Sequence, residues 1–407
     1  VALIGGGGLV EWAQAARYDA RVAAYDDVPY VAGPLREPPV ERWRGGLLVS
    51  WAGDVVIARP AASSDTIEAR ALADGALRWT RAVPDGYASC PHATRDGALL
   101  VCEVRAGLLV LDADDGTTVR EVGAGDAWTM VDDDLVRAAV DGSDVLVRRS
   151  DTATGEVRWS AELRDVVPAE GARGVRVGAH GDLVLVGGSV AAALDADDGA
   201  VLAARGGEPG AEAIAAPAAG GFVLATSQRS STWFDAAGRA GAELPGGPVP
   251  VLVDDSVAAD GSASVGASAG DGVVLVTDAD RLRAVDVRAG RTLWERPAVS
   301  RALLRLGDRL LLETEDAHVA VDLRTGAQAW SLPRDPLLSL HDLVPVTDGV
   351  RVALLEYDAA DGYRAAAYDL DDGTRRWAVP LPDGTGSLNV TAAGDVLAGW
   401  APFAVLE

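Results

Sequence analysis

Five groups of residues in this chain have types and spacings that could do chemistry, and each asks for a particular structural setting. Gly266-Ala-Ser-Ala-Gly270 fits the G-x-S-x-G pattern of a nucleophile elbow. Such an elbow needs a strand that runs into a strained turn and then a helix. Here the serine lies in Asp254–Gly272, a stretch of Ser, Ala, Gly and Asp that reads as a loop projecting from the fold, so composition explains the match better than catalysis. Gly5 to Gly8 could cradle a phosphate, but no Lys-Ser/Thr follows them and no βαβ unit surrounds them. His92, His180, His318 and His341 are dispersed, with neither an i, i+4 pair nor a cysteine at zinc spacing, and read as strand or loop residues.

The acidic turns Asp112–Gly116, Asp195–Gly199 and Asp369–Gly373 each read Asp-x-Asp-Asp-Gly and invite a calcium reading. An EF-hand loop places its glycine sixth and a glutamate twelfth. These turns place glycine fifth, and the same slot elsewhere holds Arg-Thr-Gly or Arg-Ala-Gly, so turn chemistry accounts for them. The remaining group is Cys90 and Cys102, which flank Arg95-Asp96-Gly97 symmetrically. A hairpin turning at Asp96 sets them opposite each other on adjacent strands, about 4.5–5.5 Å apart and close to disulfide range. Either they pair, which implies an oxidising compartment, or they are two buried thiols. No catalytic, cofactor-binding or metal-ligating residue is assigned.

Behind these groups stands a repeat. Ala320–Trp330 reads Ala-Val-Asp-Leu-Arg-Thr-Gly-Ala-Gln-Ala-Trp, and Ala284–Trp294, Ala367–Trp377 and Arg149–Trp159 follow its frame. Alternating apolar residues such as Val319, Val321 and Leu323 mark a strand, Asp322 bonds turn amides, and Gly326 takes a φ > 0 position in a short hairpin. Trp79, Trp159, Trp294, Trp330 and Trp377 each fall four residues after a turn glycine, namely Gly75, Gly155, Gly290, Gly326 and Gly373. Each tryptophan is expected to cover a neighbouring sheet over roughly 150–250 Å². Units at Gly116, Gly199 and Gly238 lack it.

The eight turn glycines recur at intervals of 36 to 52 residues, the period of a propeller of four-stranded blades. Gly394–Glu407 supplies two strands and stops where a turn glycine is due, while Val40–Arg44, with Trp43, resembles the returning strand of that unit. Pairing the two ends closes the ring and hides two sheet edges. The expected fold is therefore all-β, a single β-propeller over 40–407 of about eight blades, with nine as the alternative. Ahead of it, residues 26–39 read as a Pro-rich linker, and 1–25 as the remnant of a membrane anchor plus a juxtamembrane helix. The apolar Val1–Val10 is too short to span a bilayer, which takes roughly 20 residues. It is either the outer half of an anchor or signal segment, or a tail.

Composition narrows the partners. Against 36 Lys+Arg stand 61 Asp+Glu, a net charge of −25 that repels nucleic-acid backbones and anionic headgroups. There is no lysine, and Asn389 is the single asparagine.

On its Asp-x-x-Thr-Gly-x-x-x-Trp units, Gly326 with Trp330 and Gly373 with Trp377 above all, the chain resembles the PQQ-like, BamB-like β-propeller repeat family. That resemblance implies the ring fold and two branches of function. The dehydrogenase branch is expected to hold a quinone on the ring axis with a vicinal cysteine pair, an aspartate base, and asparagine and glutamate ligands for calcium. This chain has no adjacent cysteines, and its sole asparagine lies in the last unit. The expectation is thus the non-catalytic branch: a membrane-tethered, extracytoplasmic scaffold, not an enzyme and without cofactor, binding a protein or cell-envelope partner through face loops. The alternative is a quinone-dependent dehydrogenase or small-ligand receptor using the central funnel.

Overall fold

In the computed structural model the repeat becomes a closed ring of nine sheets. The structure describes residues 15–25, 31–60, 65–83, 89–95, 97–123, 125, 127–167, 174–208, 211–218, 220–227, 230–248, 251–254, 272–277, 280–297, 299, 301–334, 345–360, 362–382, 386–391, 394–399 and 402–407. Blades 1 to 8 each contain one of the eight glycine turns, and the ninth is made from both ends of the chain. The ring therefore has nine blades, the larger of the two counts, because the units at Gly116, Gly199 and Gly238 are full four-stranded sheets despite lacking the tryptophan.

Blade 1 shows the pattern: strands Leu47–Ala52, Val55–Arg59, Thr66–Ala71 and Leu77–Ala82 pair antiparallel in chain order. In the closing blade the order is Leu388–Val390, Val396–Ala398, Phe403–Leu406 and then Glu41–Gly45, so the outermost strand comes from the other end of the chain. Blade 7 carries a fifth strand, since Val251–Asp254 pairs parallel with its first strand, Arg301–Leu306. The loop reading of 254–272 falls almost wholly outside the described residues.

Seven of the eight hairpin turns are built by an aspartate that opens the turn, and in blade 1, where Ala71 takes that slot, Asp74 accepts the Ala76 amide. Asp322 Oδ1 accepts the amides of Arg324 (3.1 Å) and Thr325 (2.8 Å) and the Thr325 hydroxyl (2.8 Å), while Gly326 donates its amide to the Asp322 carbonyl. Gly326 sits at φ 69°, and the corresponding Gly373 at 71°. A side chain there would be strained by the backbone alone.

A second demand on these glycines comes from the adjacent blade. Trp330 of blade 7 lies on Gly373 of blade 8, so that a Cβ at Gly373 would come within 2.7 Å of the indole. The indole Nε1–H also donates to the Leu370 carbonyl at 2.9 Å. The same lock joins Trp43 to Gly75 and the Leu72 carbonyl, Trp79 to Gly116 and Ala113, Trp159 to Gly199 and Ala196, and Trp294 to Gly326 and Leu323. Where the tryptophan is absent, Arg120 lies over Gly155 in blade 3 and donates to the Asp151 carbonyl at 3.0 Å. At Gly290, which would receive the residue at position 242, an alanine, an added Cβ would meet nothing within 4 Å among the described residues. The fitted pair thus requires both a bulky planar group on one blade and the bare glycine on the next.

Trp330→Ala should cost about 3–5 kcal/mol of unfolding free energy in urea titration, from lost burial and the cavity left behind. Gly373→Ala should cost about 1–3 kcal/mol for the left-handed backbone, plus the displacement of the indole. If either variant unfolds at the wild-type urea concentration, the inter-blade lock is not a stabilising contact.

Candidate functional site

The residues singled out in the sequence fall into three settings. Cys90 and Cys102 are joined by a disulfide of Cα separation 3.8 Å and both are fully buried, in the apolar core between blades 1 and 2 with Ile57, Leu100 and Leu111. Ser89 pairs with Glu103 in the register that a turn at Asp96 requires, and a bulge before His92 then shifts it by one. The bond ties together strands that are already adjacent and points no reactive sulfur at a surface.

The acidic turns spend their carboxylates on their own amides. Asp112 accepts from Asp114 and Asp115, Asp195 from Asp197 and Asp198, and Asp369 from Asp371. In the same way the Thr154 amide and hydroxyl hold Asp151 below the usual carboxylate range. Among the described residues no group of three or more His, Cys, Asp or Glu side chains is placed to hold a metal. Gly5–Gly8, Gly266–Gly270 and His341 lie outside the described residues. His92 packs edge-on against Trp128 at 4.8 Å between ring centroids.

Two polar constellations come from residues that, His318 apart, the sequence did not mark. The first is a clasp on the face that carries the hairpin turns. Residues 15–22 form a helix, extended by the 3₁₀ turn Ala23–Tyr25, over the turns of blades 7 and 8. Its Tyr18 hydroxyl donates to buried Asp348, whose carboxylate also accepts the amides of Leu35 (2.8 Å), Val350 (2.9 Å) and Arg351 (2.7 Å). Burial, followed by that bond to Asp348, pushes the Tyr18 phenol well above its ordinary range. Its ring lies between the guanidinium groups of Arg36 and Arg351, 4.9 and 4.7 Å from the centroid, an arrangement favoured by the negative face of the ring. Arg21 pairs with Asp371 at 2.9 Å, and Tyr25 covers Gly349.

The strap then crosses to the closing blade. Ala32 donates to the Thr347 carbonyl, Gly33 to that of Gly394, and Leu35 is buried. Trp377 of blade 8 finds no glycine turn ahead of it, because the closing blade lacks one. Its indole instead donates to the Leu35 carbonyl at 2.8 Å. The strap supplies the acceptor that a turn supplies everywhere else.

The second constellation lies in blade 7 at the opposite face. Glu313 ends the second strand, pairing across to Arg301 on one side and His318 on the other. It is fully buried, and Arg334 Nε approaches Oε1 to 3.0 Å off the N–H line, giving an ion pair without a hydrogen bond. Arg334 also closes the Thr314–Asp316 loop, its amide donating to the Asp316 carbonyl and its guanidinium to that of Glu315. Burial raises the Glu313 carboxyl, opposed by Arg334 and Arg301. Burial also lowers the His318 imidazole to about 4, helped by Arg334, and its Nε2 has no hydrogen-bond partner among the described residues. This arrangement is a desolvated charge cluster that closes a loop, and among the described residues it sets no nucleophile beside a base.

Comparison places these features in a wider set. The family described as outer membrane protein assembly factor BamB matches residues 63–255 and 230–399. BamB from Moraxella catarrhalis is similar at 17% identity, over 91% of this chain and 98% of that one, with a TM-score of 0.53. The C-terminal WD40 domain of Sif2 is similar at 10% identity, 91% and 98% coverage and a TM-score of 0.50. The quinohemoprotein alcohol dehydrogenase ADHIIG from Pseudomonas putida HK5 aligns at 14% identity, 95% and 81% coverage and a TM-score of 0.49. At such identities these likenesses are ones of fold. No curated protein matches the chain.

The His318 shift sets a pH dependence. Its folded pKa lies below the unfolded value near 6.5, so the stability it contributes is complete above 6.5 and is lost as pH falls toward 4. The loss is on the order of 3 kcal/mol. Glu313 works in the opposite sense, its raised carboxyl favouring the folded state at the acid end. His318→Gln should therefore flatten the fall in urea midpoint between pH 6.5 and 4.5; an unchanged slope would mean that the imidazole is not buried neutral.

Proposed function

Because this chain belongs to the family of the outer membrane protein assembly factor BamB, we propose that it is a non-catalytic, extracytoplasmic scaffold that binds a protein or cell-envelope partner through loops at one face of the ring. The observation that carries the extracytoplasmic part is the Cys90–Cys102 disulfide in the blade core, since such bonds persist in oxidising compartments. The family supports the scaffold part: its description is of an outer membrane protein assembly factor. Turn carboxylates serve their own turns, the sulfurs are bonded and buried, and the Glu313 cluster closes a loop.

In this reading the apolar Val1–Val10 is part of a tether, and residues 15–36 join tether to ring. The ring is then a rigid platform whose connecting loops are the recognition surface. A surface so acidic favours partners carrying basic or neutral faces and disfavours nucleic acid.

External protease should digest the chain in intact spheroplasts of the native host while a cytosolic marker survives, and thiol labelling of the denatured protein should find no free cysteine. Protection from protease together with two labelled thiols would overturn the extracytoplasmic reading. Quinone absorbance that survives purification would replace the scaffold by a dehydrogenase.

A further inference from the structure

We infer that the face bearing the hairpin turns lies toward a lipid bilayer, leaving the opposite face, with loops such as Thr314–Asp316, for the partner; this rests on the tethered-scaffold reading above. Two independent observations lead there.

The first is where the N-terminal strap sits. The polar and turn contacts that residues 15–25 and 31–36 make with the ring fall on one face: Tyr18 and Leu35 on Asp348, Arg21 on Asp371, Tyr25 on Gly349, Gly33 on the Gly394 carbonyl. Asp348 and Gly349 connect the first two strands of blade 8, Gly394 lies in that connection of the closing blade, and Asp371 lies in the hairpin turn of blade 8. A chain leaving the helix at residue 15 therefore starts from this face. It is held there by a fully buried carboxylate, whose loss of two strap donors would leave it under-satisfied.

The second is a row of exposed aliphatic side chains at the same end of the ring. Just after the hairpin turns, at the start of the outermost strands, stand Leu77 in blade 1, Val119 in blade 2, Val157 in blade 3 and Val201 in blade 4. Val40, 65% exposed, precedes the outermost strand of the closing blade. These five lie on five consecutive blades, between 43% and 65% exposed. In blades 6, 7 and 8 the matching positions are Thr292, Gln328 and Arg375. The row thus continues from the closing blade, where the strap ends, over blades 1 to 4, and row and strap lie at the same end of the ring.

Charge selects the kind of bilayer. Turn carboxylates such as Asp114, Asp115, Asp197 and Asp198 stand beside the row, and they repel an anionic surface within a Debye length of about 8–10 Å. The contact is therefore apolar, favours zwitterionic lipid and changes little with salt.

The test uses the full-length gene product in vesicles of phosphatidylcholine. Single cysteines, Asp114→Cys on the turn face and Glu315→Cys on the opposite face, carry a fluorophore, and quenching by lipids with a nitroxide in the acyl chain is read. Cys90 and Cys102 are bonded and buried, so they do not compete with the introduced thiol for the fluorophore. The probe at 114 should be quenched at least threefold more than that at 315. Combining Leu77→Asp, Val157→Asp and Val201→Asp with the 114 probe should reduce its quenching while the protein still floats with the vesicles. Flotation with equal quenching, or with the 315 probe quenched more, overturns the orientation and leaves the tether standing. Failure to float overturns the tether and the orientation with it.

Discussion

The structure depends on one recurring contact, a planar side chain of one blade seated on the bare backbone of the next blade's turn. Each half of it is meaningless alone. The glycine is needed for a left-handed turn and again for the approach of the indole, and the tryptophan is buried only because that glycine has no Cβ. The indole N–H must find an acceptor once it is desolvated, and the turn carbonyl next to the aspartate provides it. Local turn chemistry and long-range packing are thus specified by the same few residues, which is why a short repeat can direct a ring of nine sheets.

This also explains how far the fold was legible. Gly326 and Trp330 carry both period and packing in plain view, so the blade, its turn and the closure by Val40–Arg44 could be read from residues alone. The count was harder. Arg120 replaces tryptophan over Gly155, a substitution of one flat cationic group for another that no pattern built on tryptophan detects. Fainter still was the site region. Glu313 follows three leucines, and in sequence a glutamate after an apolar run looks like a strand leaving the core for solvent. Its burial depends on Arg301, His318 and Arg334, brought together by strand pairing and by the loop that Arg334 closes. The turns around Asp112 and Asp195 pose the converse case, where dense carboxylates invite a metal reading but the turn pattern itself already points to the backbone amides that they bind.

Residues 31–36 show the limit of compositional reading most clearly. Prolines at 29, 34, 38 and 39 suggest a linker, and proline does disfavour regular structure there. Yet irregular backbone can be ordered when a carboxylate and an indole both need it. Asp348 takes the Leu35 amide and Trp377 gives its N–H to the Leu35 carbonyl, so a single residue supplies both groups the ring lacks at its seam. Ring and strap are one folded unit in this respect, and in the proposed scaffold such a seam would hold the loops of a face as a fixed recognition surface.

Native-state hydrogen exchange of the amides of Ala32 and Leu35 tests that unity most directly. Both donate within the seam, Ala32 to the Thr347 carbonyl and Leu35 to Asp348. They should exchange as slowly as core amides of blade 8 such as Leu370, through global opening alone. Exchange at the rate of an unprotected linker, with Leu370 still protected, would show that the strap is not part of the ring.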